Sequence, residues 1–330
     1  MEITAINVNQ LFEDGLWRFK TSAVKDASRN GEVYRIPEVV LTKILEPRER
    51  VLFYSRRDAN PIFHLLESIW MLAGRRDVAF LEQFNSRIGQ FSDDGRVFNA
   101  AYGYRIRHQF GFDQLKAVIN HLKMNPNSRQ AVVQLWDAND LTNETLDRAC
   151  NTQMVFSVVN DKLNLLVNNR SNDFWWGYAG ANAVHFTIIQ EFVATALGLK
   201  VGTYSTVSNN LHLYTKLYDA MPDMENPPHA EVYDYYSQGI VEPYKLFEGD
   251  WETFLEDCET FCDAPYNDNN YRHAFFTEVA QPMALVSYVR KQGETGKSIA
   301  SLIKASDWRI AVEQWIDRRE NAKLNNSVNV

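Results

Sequence analysis

The chain has 330 residues, of which 45% are hydrophobic and 23% charged, as in an ordinary globular protein and unlike a disordered or fibrous one. Its formal net charge of −8 argues against non-specific nucleic-acid binding, which depends on clustered Lys and Arg, but is compatible with a small anionic ligand held by local arginines. The start, MEITAINVNQLF, has no signal-peptide pattern and no stretch reaches about 18 apolar residues, so we expect a cytoplasmic protein without a membrane span.

The first strong helix signal lies at residues 61–73, PIFHLLESIWMLA. Pro61 at its start and Gly74 just after it match the residue preferences of helix ends. Because the segment is apolar on most faces, we expect the helix to be buried. Glu67 lies inside it, and a buried carboxylate is costly unless it is paired or hydrogen-bonded, so we expect a partner for Glu67.

A hairpin is predicted further along the chain. Residues 112–124 have amphipathic helical spacing that ends at Asn125-Pro126, and AVVQLW, residues 131–136, is typical of a buried strand. QMVFSVV and KLNLLVNN then flank Asn160-Asp161, which favours a two-residue turn between two strands.

A long buried helix is predicted after GYAGAN, where AVHFTIIQEFVATALG is mostly apolar and ends at Gly198, and VGTYSTV follows as a strand. From about 220 to 275, prolines, acidic residues and aromatics mix, which predicts surface loops with short helices. KSIASLIKASDWRIAVEQWIDRR returns to helical spacing before a polar tail, LNNSVNV. We interpret residues 1–330 as a single domain of the α+β class, with a divergent section at 220–330.

The cysteines are Cys150, Cys258 and Cys262, too few for a disulfide framework. Cys258 and Cys262 lack a second ligand pair for zinc, so we predict structural thiols and no metal site. Cys150 lies just before the first strand of the predicted hairpin, and on its own a cysteine there is more typical of a packed thiol than of a nucleophile.

Positive charge near Cys150 would change that interpretation, because a nucleophilic cysteine needs nearby charge or dipoles that favour the thiolate. Arg129, Arg148 and Arg170 are candidates, although each arginine alone is compatible with plain surface charge. Arg170-Ser171 can also hold a phosphate through a guanidinium fork and a hydroxyl.

Three polar residues further along have two interpretations each. His212 and Tyr214, in NNLHLY, are compatible with a half-buried turn or with a binding site. Asn182 can cap the long helix, or its amide can pair with the edge of a heterocyclic base, since it offers a donor and an acceptor side by side.

Taken together, in chain order and at nearly fixed spacing, these residues resemble the thymidylate synthase superfamily, which includes the deoxycytidylate and deoxyuridylate hydroxymethylases of bacteriophages. The resemblance covers about residues 29–214. The matching residues are Arg29 in SRNGE, Glu67 and Trp70 of an E-x-x-W helix, Tyr102-Gly103, Arg129 in NPNSRQ, Cys150, Arg170-Ser171-Asn172-Asp173 of an R-S-x-D motif, Gly177, Asn182, and His212 with Tyr214 of an H-x-Y motif.

The resemblance implies a thymidylate synthase-like fold with a mixed β-sheet, a long buried central helix and a homodimer formed through the sheet. It implies a pyrimidine nucleoside monophosphate as substrate and 5,10-methylenetetrahydrofolate as cofactor. The Cys150 thiolate would add to C6 of the base, so that C5 becomes a carbon nucleophile and attacks the one-carbon unit.

The resemblance also implies roles for single residues. Tyr102 lies near the transfer of the C5 proton, and Glu67 serves that transfer through a water network. The 5′-phosphate is held by Arg29, Arg129, Arg170 and Ser171, and Arg129 reaches the partner subunit's site. The 3′-hydroxyl is held by His212 and Tyr214, and the base is faced by Asn182 and Asn151. The pterin side is formed by Asp173, Trp70 and Gly177, and Asp173 also acts in catalysis.

Several residues depart from the methylating members of the family. Asn151 follows the nucleophile in place of histidine, Gln130 replaces a second arginine, WGYAGAN is one residue longer than G-L-P-F-N, and no D-Y-x-F, P-H-P or closing tail is visible after residue 265. A lid that excludes water favours hydride transfer and a methyl product, so its loss favours water capture and a hydroxymethyl product. Asn182 resembles the uracil-specific members, so we expect dUMP hydroxymethylation.

Other functions are open on the residues alone. Thymidylate synthase and a dCMP or CMP hydroxymethylase would use the same site. An inactive RNA-binding relative would not need the intact Cys150, Glu67, Tyr102 and Arg170. A cysteine hydrolase would need a histidine base and local signatures that the surroundings of Cys150 lack.

Overall fold

The computed structural model describes residues 1–218 and 233–328. Within these residues one mixed sheet has the strand order β1-β4-β9-β7-β6-β5 and a smaller one the order β2-β3-β10-β8. The strands are β1 Glu2–Ala5, β2 Val24–Ser28, β3 Gly31–Arg35, β4 Val40–Ile44, β5 Val132–Gln134, β6 Asn151–Val159, β7 Lys162–Asn169, β8 Asn172–Asp173, β9 Lys200–Ser208 and β10 Leu211–Tyr214.

The helices come from all parts of the described chain. They are α1 Val8–Ser22, α2 Pro61–Leu72, α3 Val78–Glu82, α4 Tyr102–Tyr104, α5 Gln114–Met124, α6 Ala181–Ala196, α7 Thr215–Tyr218, α8 Trp251–Asp263, α9 Gln281–Lys291, α10 Lys297–Ala300 and α11 Ser306–Val328. The mixed sheets and helices make this an α+β protein, as predicted. No helix among the described residues is both long and apolar enough to cross a membrane.

The predicted hairpin is confirmed as β6 and β7. Asn160 and Asp161 have φ angles of 50° and 56°, the left-handed conformation that a tight turn of this kind requires at both central residues. β7 then pairs in parallel with β9, the predicted VGTYSTV strand. Alternate side chains of β6, β7 and β9 therefore form one buried face of the larger sheet.

Two long helices pack together behind the buried residues of that sheet. The predicted helix at residues 61–73 is α2, where Pro61 is the first residue and Asn60 accepts a hydrogen bond from Phe63 N at 3.1 Å. The predicted apolar helix is α6, which is buried along most of its length. Gln190 of α6 donates to the carbonyl of Leu163 at 2.9 Å, which ties the helix to β7.

Two predictions were wrong in detail. β5 was expected to be buried, but it is a three-residue edge strand in which Val133 is buried while Val132 is 38% exposed. The region from 220 to 275 was expected to be surface loops with short helices; residues 219–232 lie outside the described residues, and α8 is a full amphipathic helix. Phe254 of α8 packs against Phe192 of α6 at 6.0 Å between ring centroids. The acidic residues within α8 obscured its apolar helical spacing in the sequence.

Candidate active site

A cavity of about 210 Å³ lies between α2, α4, α6 and the loop that precedes β6. Its polar lining is supplied by Glu67, Tyr102, Asp147, Asn182 and His185. The rest of the lining is apolar and consists of Trp70, Met71, Leu81, Ile88, Phe91, Phe98, Ala100, Ala101 and Ala181. A largely apolar cleft with a few convergent polar groups is a usual form of a small-molecule site.

α2 presents Glu67, Trp70 and Met71 to the cavity because positions three and four apart lie on one helix face. Glu67 has the partner that the sequence analysis expected: its Oε2 lies 3.1 Å from Nε2 of His185 on α6. Trp70 is held by its indole N–H, which donates to the carbonyl of Asp77 at 3.2 Å. The position of the carboxylate therefore depends on the packing of α2 against α6.

Tyr102 connects this cavity to Cys150. Its hydroxyl oxygen accepts hydrogen bonds from the backbone N–H groups of Cys150 at 2.9 Å and Asn151 at 3.0 Å. Gly103 allows this position, because a Cβ there would lie 2.3 Å from the carbonyl oxygen of Met71. Burial raises the pKa of the Tyr102 hydroxyl, so the group stays a phenol with its own proton available for donation.

Cys150 faces Arg170. Sγ lies 3.9 Å from Nη2 of Arg170, and the same guanidinium donates to the carbonyl of Ala149 at 2.7 Å. Burial raises the pKa of the Cys150 thiol, while the charges of Arg170 and Arg29 oppose that effect. The pKa of Cys150 is therefore above its usual value, because desolvation outweighs the effect of the two arginines.

The other two arginines proposed to activate Cys150 do not act in that way. Arg148 contributes its backbone carbonyl, which lies 3.7 Å from Sγ, while its Nε is 3.4 Å from the carbonyl of Thr145. Arg129 is exposed beside the edge strand β5 and has no hydrogen bond or ion pair within residues 1–218 and 233–328. Within one subunit Arg129 is thus not brought to Cys150.

The small sheet brings together several of the predicted nucleotide-binding residues. β10 pairs in parallel with β8, which sets His212 opposite Asp173. The turn between β2 and β3 carries Arg29, and the adjacent Asn30 lies 3.5 Å from the hydroxyl of Tyr214. Ser171 is half-buried in the link between β7 and β8.

Asp173 has a structural role at this position. Its carboxylate accepts a hydrogen bond from Trp176 N at 2.7 Å and so caps the turn at residues 174–178. Burial raises the pKa of Asp173. Its predicted place near a pterin is compatible with this position, at the same turn as Gly177.

Asn182 lines the cavity and does not cap α6. The residue before the helix is Gly180, which makes no side-chain capping bond, whereas the Asn182 amide lies within the first turn, with Nδ2 3.4 Å from Oδ1 of Asn172. Gly177 leaves room for it, since a Cβ at residue 177 would lie 2.8 Å from Nδ2 of Asn182. This close approach accounts for the glycine there.

Asn151 does not line the cavity, and its predicted place beside the base stays a prediction. Its side chain is buried in the sheet and its Nδ2 donates to Oδ1 of Asn169 on β7. Its contribution to the site is made through its backbone N–H, which is bonded to Tyr102. Asn151, which stands where methylating members carry histidine, therefore fixes the start of β6 to Tyr102 and to β7.

Two residues of the cavity lining, His185 and Asp147, were not predicted from the sequence. His185 was visible only as one polar residue in an apolar helix, three positions after Asn182, and that spacing places both on one face. Asp147 precedes Cys150 by three residues in an irregular loop, where no periodic pattern indicates which side chains point inward.

This chain belongs to the thymidylate synthase family. The model of the family described as thymidylate synthase matches residues 56–231, which include α2, Cys150 and the whole lining of the cavity. The predicted superfamily is therefore confirmed.

Three phage proteins named deoxyuridylate hydroxymethyltransferase are similar to this chain. The protein of Pseudomonas phage M6 is 40% identical over 329 residues, covering 96% of this chain and 93% of the relative, so the match includes most of the C-terminal section. That of Bacillus phage SP01 is 42% identical over 200 residues, 56% of this chain and 52% of the relative. That of Delftia phage PhiW-14 is 29% identical over 222 residues, 64% and 61% respectively.

The reactivity of Cys150 is expected to rise with pH. Because its pKa is raised, alkylation by iodoacetamide should be slow at neutral pH and accelerate up to and beyond the pH at which an ordinary thiol ionises, near 8.5. Arg170→Ala should move the midpoint to higher pH, since it removes the charge that opposes desolvation. Mass spectrometry of the labelled peptide measures this, with buried Cys258 and Cys262 as internal unreactive controls. A midpoint below that of a free thiol would contradict the expectation.

Tyr102→Phe should destabilise the protein by about 1–3 kcal/mol, because it leaves two backbone N–H groups without their acceptor. Urea unfolding measures the change. Tyr104→Phe is the matched control: it removes a hydroxyl two residues away that has no hydrogen bond among the described residues, and should change stability by less than about 0.5 kcal/mol. Equal effects of the two substitutions would show that the Tyr102 hydroxyl does not hold the start of β6.

Proposed function

We propose that this protein transfers a hydroxymethyl group to C5 of dUMP, with 5,10-methylenetetrahydrofolate as the source of the one-carbon unit. The proposal depends mainly on the position of Cys150. Its thiol lies beside Arg170, and its backbone N–H is bonded to Tyr102, which lines the same cavity as Glu67 and Asn182. The names of the phage relatives support it, above all the relative matched along nearly the whole chain.

The chain's own residues account for the activation of the base. The Cys150 thiolate adds to C6, which turns C5 into a carbon nucleophile. Tyr102 holds the peptide of Cys150 in place and keeps its own proton for donation. Glu67, 3.1 Å from His185, serves the removal of the C5 proton through water in the cavity.

The folate supplies the one-carbon unit at the oxidation level of formaldehyde. The apolar lining of the cavity fits its flat rings: Trp70 and Phe98 stand edge to face at 6.1 Å between ring centroids, and Phe91 is 49% exposed. Trp70, Gly177 and Asp173 would lie on the pterin side.

The nucleotide would extend from this cavity towards the small sheet. Arg29, Arg170 and Ser171 would hold the 5′-phosphate, and arginine suits a phosphate because its guanidinium donates two parallel hydrogen bonds. His212 and Tyr214 would hold the 3′-hydroxyl from β10. Their ring centroids are 5.7 Å apart.

Asn182 favours uracil over cytosine. Its Nδ2 faces Oδ1 of Asn172 at 3.4 Å, which fixes the orientation of the amide and leaves its Oδ1 as an acceptor. N3 of uracil carries a proton that this oxygen can accept, while the second N–H of Nδ2 can donate to O4. Cytosine has the opposite pattern on that edge.

A homodimer through the larger sheet would complete the site. The face of this sheet opposite the core carries half-buried side chains that are both apolar, Val155, Leu166 and Val207, and polar, Gln153, Asn164 and Asn168, a mixture found at protein interfaces. Arg129 lies beside β5 of the same sheet and is exposed, so across a two-fold axis it can reach the phosphate of the partner subunit's site.

The product identifies the reaction. With dUMP and methylenetetrahydrofolate the enzyme should form a nucleotide heavier than dUMP by one CH2O unit, measured by mass spectrometry, and dCMP or CMP should give no product. Cys150→Ser should abolish the activity. A product heavier by one CH2 unit would identify a thymidylate synthase, and a product from cytosine nucleotides alone would overturn the role of Asn182.

Subunit complementation tests the shared site. Arg129→Ala and Cys150→Ala should each be nearly inactive, but co-expressed in equal amounts they should regain about a quarter of the wild-type activity, because half of the dimers then carry one intact site. Cys150→Ala with Arg170→Ala is the control and should regain nothing, since both residues belong to the same subunit's site. Equal recovery in both pairs, or in neither, would contradict a site completed by Arg129.

A further inference from the structure

A second carboxylate, Asp147, lines the cavity together with Glu67 and has no role in the steps derived so far. It stands three residues before Cys150 and is half-buried. The proposed reaction needs two proton acceptors, one for the C5 proton and one for the water that becomes the hydroxyl group. Glu67 accounts for only one of them.

Asp147 is held by several hydrogen bonds that leave part of its carboxylate available. Its Oδ2 accepts from Ala100 N at 2.7 Å, and its carbonyl accepts from Asn99 Nδ2 at 3.2 Å. The loop is anchored in turn by Asp93, which accepts from Leu146 N at 2.8 Å. No donor within residues 1–218 and 233–328 bonds Oδ1, which is the oxygen left for a water molecule.

The charges around Asp147 suit a base. Burial raises the pKa of Asp147, and the carboxylates of Asp93 and Glu67 raise it further, while the Ala100 N–H and Arg105 oppose the shift. Asp147 lines the same cavity as Tyr102 and precedes Cys150 by three residues, and its charge raises the pKa values of both groups. Two carboxylates in one cavity with different partners can serve two different proton transfers.

We propose that Asp147 is the base for water capture, holding the water with Oδ1 and accepting its proton; this rests on the proposed hydroxymethylation of dUMP. The water oxygen forms a bond to the exocyclic methylene carbon on C5. The electron pair of the methylene double bond moves to form C5=C6, and the Cys150 thiolate leaves C6 with the electrons of the C–S bond. The proton lost by the water is on Asp147, so charge and atoms balance.

Asp147→Asn separates this step from the earlier ones, because the amide oxygen can still accept from Ala100 N. In single turnovers with [5-³H]dUMP, release of tritium should stay within about threefold of wild type, since that step precedes water capture. Hydroxymethyl product should fall by about 10²-fold, the usual contribution of a positioned base. Added thiol should then capture the stalled methylene as a thioether, which mass spectrometry detects.

Asp93→Asn is the matched control, since Asp93 holds the same loop but does not line the cavity. In this variant the ratio of hydroxymethyl product to released tritium should be the same as in the wild type. Equal loss of both signals in Asp147→Asn, or no loss of product, would overturn the role of Asp147 alone. A wild-type enzyme that makes no hydroxymethyl product would overturn the proposed function as well.

Discussion

The two hydrogen bonds accepted by Tyr102 link the parts of the site that come from distant regions of the chain. They join α4 to Cys150, the proposed nucleophile, and to Asn151 at the start of β6. Gly103 lets α4 approach α2 so closely that its Cβ position lies 2.3 Å from a backbone oxygen of Met71. α2 also carries Glu67 and Trp70. A shift of α2 would therefore move the Glu67 carboxylate and, through α4 and Tyr102, Cys150 as well.

Glu67 of α2 and His185 of α6 are polar residues in apolar helices, and they lie next to each other. A carboxylate within an apolar helix costs free energy unless it is paired, and Oε2 of Glu67 lies 3.1 Å from Nε2 of His185 at the wall of the cavity. The same two helices form the hydrophobic core, so core packing sets the distance between the two groups.

Local signals predicted the hairpin at Asn160-Asp161, the helix that starts at Pro61 and the helix that ends near Gly198, because each depends on backbone preferences of single residues. The resemblance supplied the order of the site residues. Neither could show that Asn151 turns into the sheet, that Arg148 uses its carbonyl, or that desolvation of Cys150 outweighs Arg170. These depend on packing in three dimensions, which a single sequence does not encode in any periodic pattern.

Burial of the site sets opposing demands on its groups. Desolvation makes Cys150 a less reactive thiol in the free protein, yet it makes any thiolate that forms a stronger nucleophile. The same desolvation raises the pKa of Asp147 and so strengthens it as a base. A cavity that must admit one water to the methylene while keeping bulk solvent from the thiolate needs an oxygen that fixes that water. The loop that carries Cys150 also places Asp147 at the wall of the cavity, so in the proposed mechanism one segment would both create the intermediate and direct its capture by water.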